Sequence, residues 1–312
     1  MTRLIQLSGV IMDHIYRVDA VPLPGQEAVV HRATLAPGGG FNAMVAARRM
    51  GMAVAYGGTL GSGPFAAMIA DAMAREGIVA LRPALTAIDQ GCCTVLIDRH
   101  GERSFIASDG ADGLVTAADL ARITPAPQDW LLLSGYALLY PGSRAALTGW
   151  LETAPPGTLI FDPCPQIAAI PQASRTAALA AAHWISANRA EAETLTGCQD
   201  PAEAALALSD RAGGAVVRDG ANGCYLAMAG QPARHIPGHP VQPVDTNGAG
   251  DAHIGAFIAA LSRGDPALRA CTLANVAAAL SITRQGPSTA PTLQHVLAEL
   301  AGTPNQTDRR VR

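Results

Sequence analysis

The sequence lacks most of the features that mark specialised classes of protein. Aromatic residues make up only 4% of the chain, and the formal net charge of −3 comes with no basic stripe, which argues against nucleic acid as a partner. There is no run of about twenty apolar residues, and the N-terminus has neither the length nor the cleavage site of a signal peptide. We therefore expect no membrane contact and a cytoplasmic location.

Cysteine patterns typical of metal or disulfide proteins are also missing. The six cysteines include no C-x-x-C pair and no Cys/His cluster with zinc-ligand spacing, so we expect buried, reduced thiols. Apolar residues, in contrast, are abundant, since 49% of the 312 residues are hydrophobic. That is enough for a sizeable core in one large α/β domain, a common architecture at this length.

Short apolar runs alternate with longer helical patterns along the chain. Strands are predicted at 4–10, 130–135, 158–162, 183–188 and 214–220, each ending near Gly, Ser, Asn or Asp. Helices are predicted at 41–51, 64–77, 142–153, 189–196 and 201–212. This alternation predicts a mostly parallel central sheet covered by helices on both faces, with ligands at the carboxyl ends of its strands.

Two segments, 14–34 and 91–108, interrupt the alternation. Both are strand-like, with turn signals at Pro24-Gly25 and His100-Gly101, and neither contains a helix that could cross a sheet. They could pair into a small sheet that projects from the main body, or they could be extra strands of the main sheet. The polar residues 303–312 at the C-terminus are predicted to form a flexible tail.

The most informative motif is Asp245-Thr246-Asn247-Gly248-Ala249-Gly250-Asp251, which opens a helical pattern that runs to Ser262. A nearly bare loop at a helix start presents free N–H groups, and the helix dipole adds partial positive charge, so the loop suits an anion. Asp251 places a carboxylate beside this anion site, and the dipole should favour its charged form. A phosphoryl transferase needs such donors beside an acid that can take a proton. The motif could also be an ordinary helix-capping turn.

A second glycine cluster, Gly38-Gly39-Gly40-Phe41-Asn42-Ala43, precedes the helix that is predicted to end near Gly51. It lets a ligand approach the backbone closely, and the Asn42 side chain suits sugar hydroxyls. Its spacing matches neither a dinucleotide-binding fingerprint nor a Walker loop. GGGFNA at 38–43 and DTNGAGDAHIGAF at 245–257, with N-x-x-E at 188–191 between them, resemble the ribokinase family, also called the PfkB carbohydrate kinases. The resemblance runs from residue 4 to about residue 300.

The resemblance implies a fold, a reaction and its ligands. The fold would be a ribokinase-like three-layer αβα sandwich with a mostly parallel central sheet. Residues 1–13, 35–90 and 109–302 would form the main domain, and 14–34 and 91–108 would form a β-sheet lid. The reaction would be ATP-dependent phosphorylation of a hydroxyl of a small sugar, with Mg²⁺ and, as in several members, K⁺. The lid often serves dimerisation in the family, so a homodimer through the lid is implied.

The resemblance also assigns roles to individual residues of this chain. Asp251 matches the catalytic base, and the anion hole for the phosphoryl group matches Gly248, Ala249 and Gly250. The sugar side matches Asp13, Gly39, Gly40 and Asn42. The nucleotide side matches Asn188, Asp219, Gly220 and Gly223. Glu191 matches a residue that organises Mg²⁺ through water. The monovalent-cation site of several members matches Asp245, Asn247 and Ser288.

Several alternatives stay open. Asn188 with Glu191 is also the pattern of a helix cap with an acid in the first turn, and Asp245 could be a cap alone. Asp162 ends a strand at the binding edge and could touch substrate or phosphate. His253 is expected to be a packed or surface histidine rather than a catalytic one. A nucleoside kinase, or a ligand-binding protein without turnover, would fit the same fold.

Overall fold

A computed structural model describes residues 2–302, and the predicted tail at 303–312 lies outside the described residues. The strands are β1 (Arg3–Gln6), β2 (Val10–Val18), β3 (Val30–Gly39), β4 (Ala53–Tyr56), β5 (Val79–Ala80), β6 (Cys92–Ile97), β7 (Arg103–Ser108), β8 (Trp130–Ser134), β9 (Thr158–Asp162), β10 (Trp184–Asn188), β11 (Gly214–Arg218), β12 (Gly223–Met228) and β13 (Arg234–Pro237). The helices are α1 (Gly40–Arg49), α2 (Pro64–Glu76), α3 (Ala117–Ala121), α4 (Tyr136–Leu139), α5 (Pro141–Glu152), α6 (Gln172–Ala181), α7 (Arg189–Thr196), α8 (Pro201–Ala212), α9 (Ala249–Ser262), α10 (Ala267–Ser281) and α11 (Leu293–Gly302).

The large sheet contains nine of the strands found in residues 2–302, in the order β13-β12-β11-β10-β9-β8-β1-β4-β5. The strands from β11 to β5 run parallel, whereas β12 and β13 pair antiparallel at one edge. Carboxyl ends of parallel strands meet at one edge of the sheet, so the polar residues that end these strands are brought together.

Apolar strand residues point alternately to the two faces of this sheet, and each face is covered by helices. Leu132 and Val216 pack with Phe257 of α9 on one face. Leu131 and Val217 belong to a second buried cluster with helices α5, α6 and α8 on the other face. This arrangement confirms the predicted three-layer α/β architecture. No helix in the described part of the chain has the length and hydropathy of a bilayer-spanning segment.

Every strand and helix predicted from the sequence overlaps an observed element, and β9 and α7 match to the residue. The first predicted strand, 4–10, is too long, because β1 ends at Gln6 and β2 already begins at Val10. Asp13, placed by the sequence at the end of the main domain's first segment, therefore lies in the middle of β2. The chain leaves the large sheet earlier than its apolar pattern indicates.

The strands around the two interrupting segments form a separate small sheet in the order β3-β2-β6-β7. Within residues 2–302 they pair only with one another, so the alternative that they extend the main sheet is wrong. The small sheet includes residues 10–13 and 35–39, and it thus extends beyond the predicted lid segments 14–34 and 91–108. The division of the chain into a main domain and a lid stays a prediction.

Helices α1 and α9 pack with their backbones in close contact. A Cβ atom on Gly255 of α9 would lie 2.4 Å from the Ala43 carbonyl oxygen and 2.7 Å from the Ala46 Cβ, both on α1. Such separations are shorter than real Cβ contacts, so only glycine allows this approach. The contact sets the N-terminal ends of the two helices side by side, next to the carboxyl edge of the sheet.

We predict that Gly255→Ala lowers the free energy of unfolding by about 1–3 kcal/mol, because the added methyl group must force two helix backbones apart. Gly149→Ala is the matched control, since Gly149 lies exposed within α5 and a Cβ there meets no atom within 4 Å. The control should leave stability unchanged or raise it by up to about 1 kcal/mol. Urea unfolding of both variants tests this, and equal stability of the two would contradict the close contact.

Candidate active site

A cavity of about 270 Å³ opens at the carboxyl ends of the central strands. Four of its lining residues, Gln6, Ser134, Asp162 and Arg218, are the last residues of β1, β8, β9 and β11. A cavity therefore lies at the edge of the sheet where ligand binding is predicted. The lining also includes Ser8, Gly39, Gly40, Tyr136, Glu191 and residues 246–251.

The start of α9 forms one wall of the cavity. Gly248 precedes the helix with φ of 77°, a left-handed conformation that favours glycine. The first helical hydrogen bond runs from the Ala252 N–H to the Gly248 carbonyl at 2.8 Å. The N–H groups of Gly250 and Asp251 come before that bond, so the helix itself offers them no carbonyl acceptor. This wall therefore presents free N–H donors to the cavity, and anion binding by them stays a prediction.

Asp251 lies half-buried at this wall, and its carboxylate connects α9 to α1. Its Oδ2 accepts a hydrogen bond from the Asn42 Nδ2 at 3.2 Å. The Asn42 Oδ1 accepts in turn from the Ser288 hydroxyl at 2.7 Å. The two glycine motifs of the sequence, separated by some two hundred residues, therefore meet through one amide side chain.

The Asp251 carboxyl group is harder to ionise than the sequence indicates. Burial raises its pKa to about 7, and the negative charge of Asp162 adds to the rise. The hydrogen bond from Asn42 and the charge of Arg218 act in the opposite direction. The expected effect of the helix dipole, which favours the charged form, is thus opposed by the cost of desolvating the carboxylate.

Arg218 is the positive centre of the cavity, although the sequence gives it no role. Its Nη2 lies 2.9 Å from the Asp162 Oδ1 and 3.7 Å from the Glu191 Oε2, and its Nη1 donates to the Ser186 hydroxyl at 2.9 Å. One guanidinium thus faces two carboxylates, with Asp251 nearby. Burial, and then repulsion from Asp162, raise the pKa of Glu191 to about 7.

Asn188 and Glu191 form the reciprocal cap of α7. The Asn188 Oδ1 accepts from the Glu191 N–H at 2.9 Å, and the Glu191 Oε2 accepts from the Asn188 N–H at 2.8 Å. The capping alternative is therefore what the structure shows for this pair. Glu191 also lines the cavity, whereas Asn188 does not. A role for either residue with Mg²⁺ stays a prediction.

Asp13 lies close to the cavity without lining it. Its side chain packs against Gly38, where a Cβ would come within 2.1 Å of the Asp13 Oδ2. Burial raises the pKa of Asp13 to about 6, and its charge contributes to the rise at Asp251. Gly39 and Gly40 do line the cavity, so the predicted sugar-side residues lie together near Asp251.

These features coincide with a match to a family model described as "pfkB family carbohydrate kinase", which covers residues 1–293. The chain belongs to this family. It is 32% identical over 307 residues to an uncharacterized sugar kinase of Escherichia coli K12, YegV, which covers 93% of this chain and 92% of the relative.

Solved structures of carbohydrate kinases share the fold. Ribokinase from Thermotoga maritima aligns with a TM-score of 0.79 at 23% identity, over 97% of this chain and all of that structure. A double-mutant fructokinase from Vibrio cholerae, solved with fructose, ADP and a potassium ion, aligns with a TM-score of 0.74 at 25% identity. That alignment covers 96% of this chain and 98% of the fructokinase.

In this carbohydrate kinase the predicted nucleotide-side turn, Asp219 to Gly223, does not line the cavity. The Asp219 Oδ1 lies 3.7 Å from the Arg189 Nη1. Gly220 has a φ of 58°, and a Cβ there would meet no atom within 4 Å. Gly223 has a structural reason for being glycine, since a Cβ there would lie 2.2 Å from the Ile236 carbonyl oxygen of β13. Nucleotide binding by this turn stays a prediction.

Of the three residues predicted for a monovalent cation, Asp245 and Asn247 are hydrogen-bonded to each other, and a cation site there stays a prediction. Asn247 lines the cavity, and its N–H donates to the Asp245 Oδ1 at 3.0 Å. The Ser288 hydroxyl is bonded to Asn42 and not to Asp245. His253 is buried and lies 3.1 Å from the Asn275 Oδ1 through its Nε2, so it is the packed histidine that was expected.

Four polar residues that line the cavity were not predicted from the sequence, namely Gln6, Ser8, Arg103 and Ser134. Gln6 and Ser134 could have been found, because each ends a strand of the parallel sheet. Arg103 gave no signal, since it reaches the cavity from β7 of the small sheet and its position depends on how the two sheets meet.

Within residues 2–302, no three His, Cys, Asp or Glu side chains form a ready-made metal site.

We predict that Asp251→Asn makes the protein more stable than the wild type as pH rises. The folded chain raises the pKa of this carboxyl group from 3.8 to about 7, so the wild type binds the proton more tightly when folded. This tighter proton binding stabilises the folded wild type fully below about pH 4, and the stabilisation is lost as pH rises through about 7. The amide cannot ionise and avoids that loss. Urea unfolding on both sides of this window measures the effect.

Asp210→Asn is the matched control for this measurement, because Asp210 is an exposed acid of α8 away from the cavity. Its stability difference from the wild type should not follow the same pH window. A difference between Asp251→Asn and the wild type that stays constant with pH would contradict the raised pKa.

Proposed function

We propose that this carbohydrate kinase transfers the γ-phosphoryl group of ATP to a hydroxyl group of a small sugar or sugar-like acceptor, with Asp251 as the general base. The observation that carries the proposal is the position of the Asp251 carboxylate in the cavity wall, beside the N–H groups of Gly250 and Asp251, for which the helix offers no carbonyl acceptor. An acceptor hydroxyl beside this carboxylate would also lie beside the anion-binding loop.

The chemistry of the proposed step follows from these two groups. The acceptor oxygen forms a bond to the γ-phosphorus, the bond from that phosphorus to the ADP oxygen breaks, and the hydroxyl proton passes to Asp251. A pKa of about 7 suits a group that must be ionised to accept a proton and protonated after the transfer. The loop N–H groups and the α9 dipole stabilise the charge on the phosphoryl oxygens during transfer.

The charge balance of the cavity suits a nucleotide that carries Mg²⁺. Asp162, Glu191 and Asp251 lie around the Arg218 guanidinium, so carboxylates exceed positive charges at this wall. The other arginine that lines the cavity, Arg103, is paired with Asp245. Such oxygen donors fit Mg²⁺ that keeps most of its water and its phosphate ligands. Glu191 and Asp162 would contact metal-bound water, and the metal would neutralise part of the phosphate charge.

The lining favours a sugar over a nucleoside as the acceptor. Gln6, Ser8 and Ser134 supply polar side chains, whereas Tyr136 is the one aromatic ring among the described lining residues. Phe41, a candidate for stacking on a base, is 4% exposed and packs in the core. The fructose and ADP bound by the fructokinase of V. cholerae support the same class of substrates. A homodimer through the small sheet and a cytoplasmic location stay predictions.

We predict that Asp251→Asn lowers kcat by about 10²–10⁴-fold, the usual effect of removing a general base. A panel of sugars, with ATP and Mg²⁺, is assayed by ADP formation and by detection of the phosphorylated product. Asp210→Asn is the charge-matched control and should keep wild-type turnover. Near-normal turnover by folded Asp251→Asn would reject Asp251 as the base. Tight sugar binding without phosphate transfer by the wild type would instead support the non-catalytic alternative.

We also predict that Asp162→Asn shifts the acidic limb of the kcat/KM profile to lower pH. In the wild type this limb should lie near pH 7, where Asp251 loses its proton. The substitution removes a negative charge that raises the pKa of Asp251, and it leaves Arg218 free to lower that pKa further. Profiles of kcat/KM against pH for wild type, Asp162→Asn and Asp210→Asn measure this. A shift toward higher pH would contradict the electrostatic assignment.

A further inference from the structure

Asp245 opens the motif that ends in Asp251, and both of its carboxylate oxygens are engaged. Oδ1 accepts from the Asn247 N–H at 3.0 Å and from the Arg103 Nη2 at 3.0 Å. Oδ2 accepts from the Gly286 N–H at 3.2 Å. The residue is only 8% exposed. This buried carboxylate therefore joins the anion-binding loop, the small sheet and the loop around residue 286 at one point.

A monovalent cation does not fit this set of groups. A cation needs several oxygen atoms turned toward a common point. Asp245 is surrounded instead by two N–H donors and a guanidinium, and a second positive charge beside Arg103 would be repelled. The Ser288 hydroxyl, which was expected at the same site, is bonded to the Asn42 side chain.

Carbonyl oxygens of the neighbouring loop are also occupied, by a second guanidinium. The Arg49 Nη1 donates to the Ser288 carbonyl at 3.0 Å and to the Ala290 carbonyl at 2.8 Å. The other side of Arg49 is paired with Glu76 at 2.6 Å. Two carbonyl oxygens of this loop are thus bonded to arginine nitrogens.

Arg103 reaches Asp245 from the small sheet. It is the first residue of β7, paired with Ile97 of β6, and its Nη2 also lies 3.3 Å from the Thr246 hydroxyl. Arg103 can form this ion pair with Asp245 only while the small sheet lies against the loop at 245–246. Arg32 of β3 makes a second bridge from this sheet, to the Gln285 side chain. It lines a small cavity together with Asp245, whose ion pair is formed by Arg103.

We propose that Arg103 supplies at Asp245 the positive charge that a bound monovalent cation would otherwise supply, so that this kinase orders its phosphate-binding loop without K⁺. The inference rests on the proposed function in one respect, since it takes residues 248–250 as the loop that binds phosphate. Arg103 is a positioning residue here, acting through Asp245 and Thr246. The order of the loop is thereby tied to the position of the small sheet.

The experiment compares four proteins in chloride salts of potassium, sodium and tetramethylammonium at equal ionic strength. They are the wild type, Arg103→Met, Arg103→Lys and Arg32→Met. Methionine keeps an apolar stem and removes the charge, whereas lysine keeps the charge. Arg32→Met is the matched control, because it removes a bridge from the small sheet while Arg103 still pairs with Asp245. The readouts are the thermal unfolding midpoint and kcat/KM for ATP with the sugar found in the panel.

The wild type should show the same kcat/KM and the same midpoint in potassium and in tetramethylammonium. Arg103→Met should lose about tenfold or more in kcat/KM in tetramethylammonium, since the buried Asp245 carboxylate loses its charged partner. Potassium should restore part of that loss and raise the unfolding midpoint of this variant alone. Arg103→Lys and Arg32→Met should acquire no dependence on the cation.

Two results would overturn the inference. One is a wild type that potassium activates or stabilises relative to tetramethylammonium, and the other is an Arg103→Met protein that responds equally to all three salts. A general loss of stability in Arg103→Met cannot imitate the expected result, because it would not depend on the cation. If no sugar is phosphorylated by any of the proteins, the proposed function fails, and the unfolding midpoints still decide the role of Arg103.

Discussion

The close contact between α1 and α9 is the constraint on which the site depends. Gly255 lets the two helix backbones approach beyond what any side chain permits, and both helices then begin at the same edge of the sheet. Asp251 lies one helical turn before Gly255, and Asn42 lies one turn before Ala46. The helical repeat therefore brings Asp251 and Asn42 together as well. A core-packing requirement thus brings the glycine cluster at 38–40 next to the loop at 245–251.

The buried carboxylates of the cavity lower the free energy of unfolding at neutral pH. Carboxylates gather where β9 ends and where α7 and α9 begin, and Arg218 at the end of β11 faces Asp162 and Glu191. Burial and mutual repulsion raise the pKa values of Glu191 and Asp251 into the neutral range. Groups held in this way destabilise the empty fold at neutral pH but are suited to proton transfer and to a cationic metal–phosphate ligand.

Local patterns in the sequence predicted the elements well and the site in part. Glycine clusters, strand ends and the N-x-x-E spacing are short-range signals, and they located Asp251, Gly248 to Gly250, Gly39 and Glu191 around one cavity. The ionisation of Asp251 could not be predicted, because its pKa depends on side chains from β9, β11, α1 and β2. The place of Arg103 in the cavity lining could not be predicted for a similar reason, since it depends on how the small sheet lies against the large one.

Arginine has a particular part in holding this site together, because the sequence contains no lysine. A planar guanidinium can donate to several acceptors in fixed directions, which a single ammonium group cannot do. Arg218 joins β9, β10 and α7, Arg49 joins α2 to the loop at 288–290, and Arg103 joins the small sheet to the loop at 245–246. Each bridge connects segments far apart in the chain. Hydrogen bonds from guanidinium groups therefore fix how the loop at 245–246 lies against the small sheet.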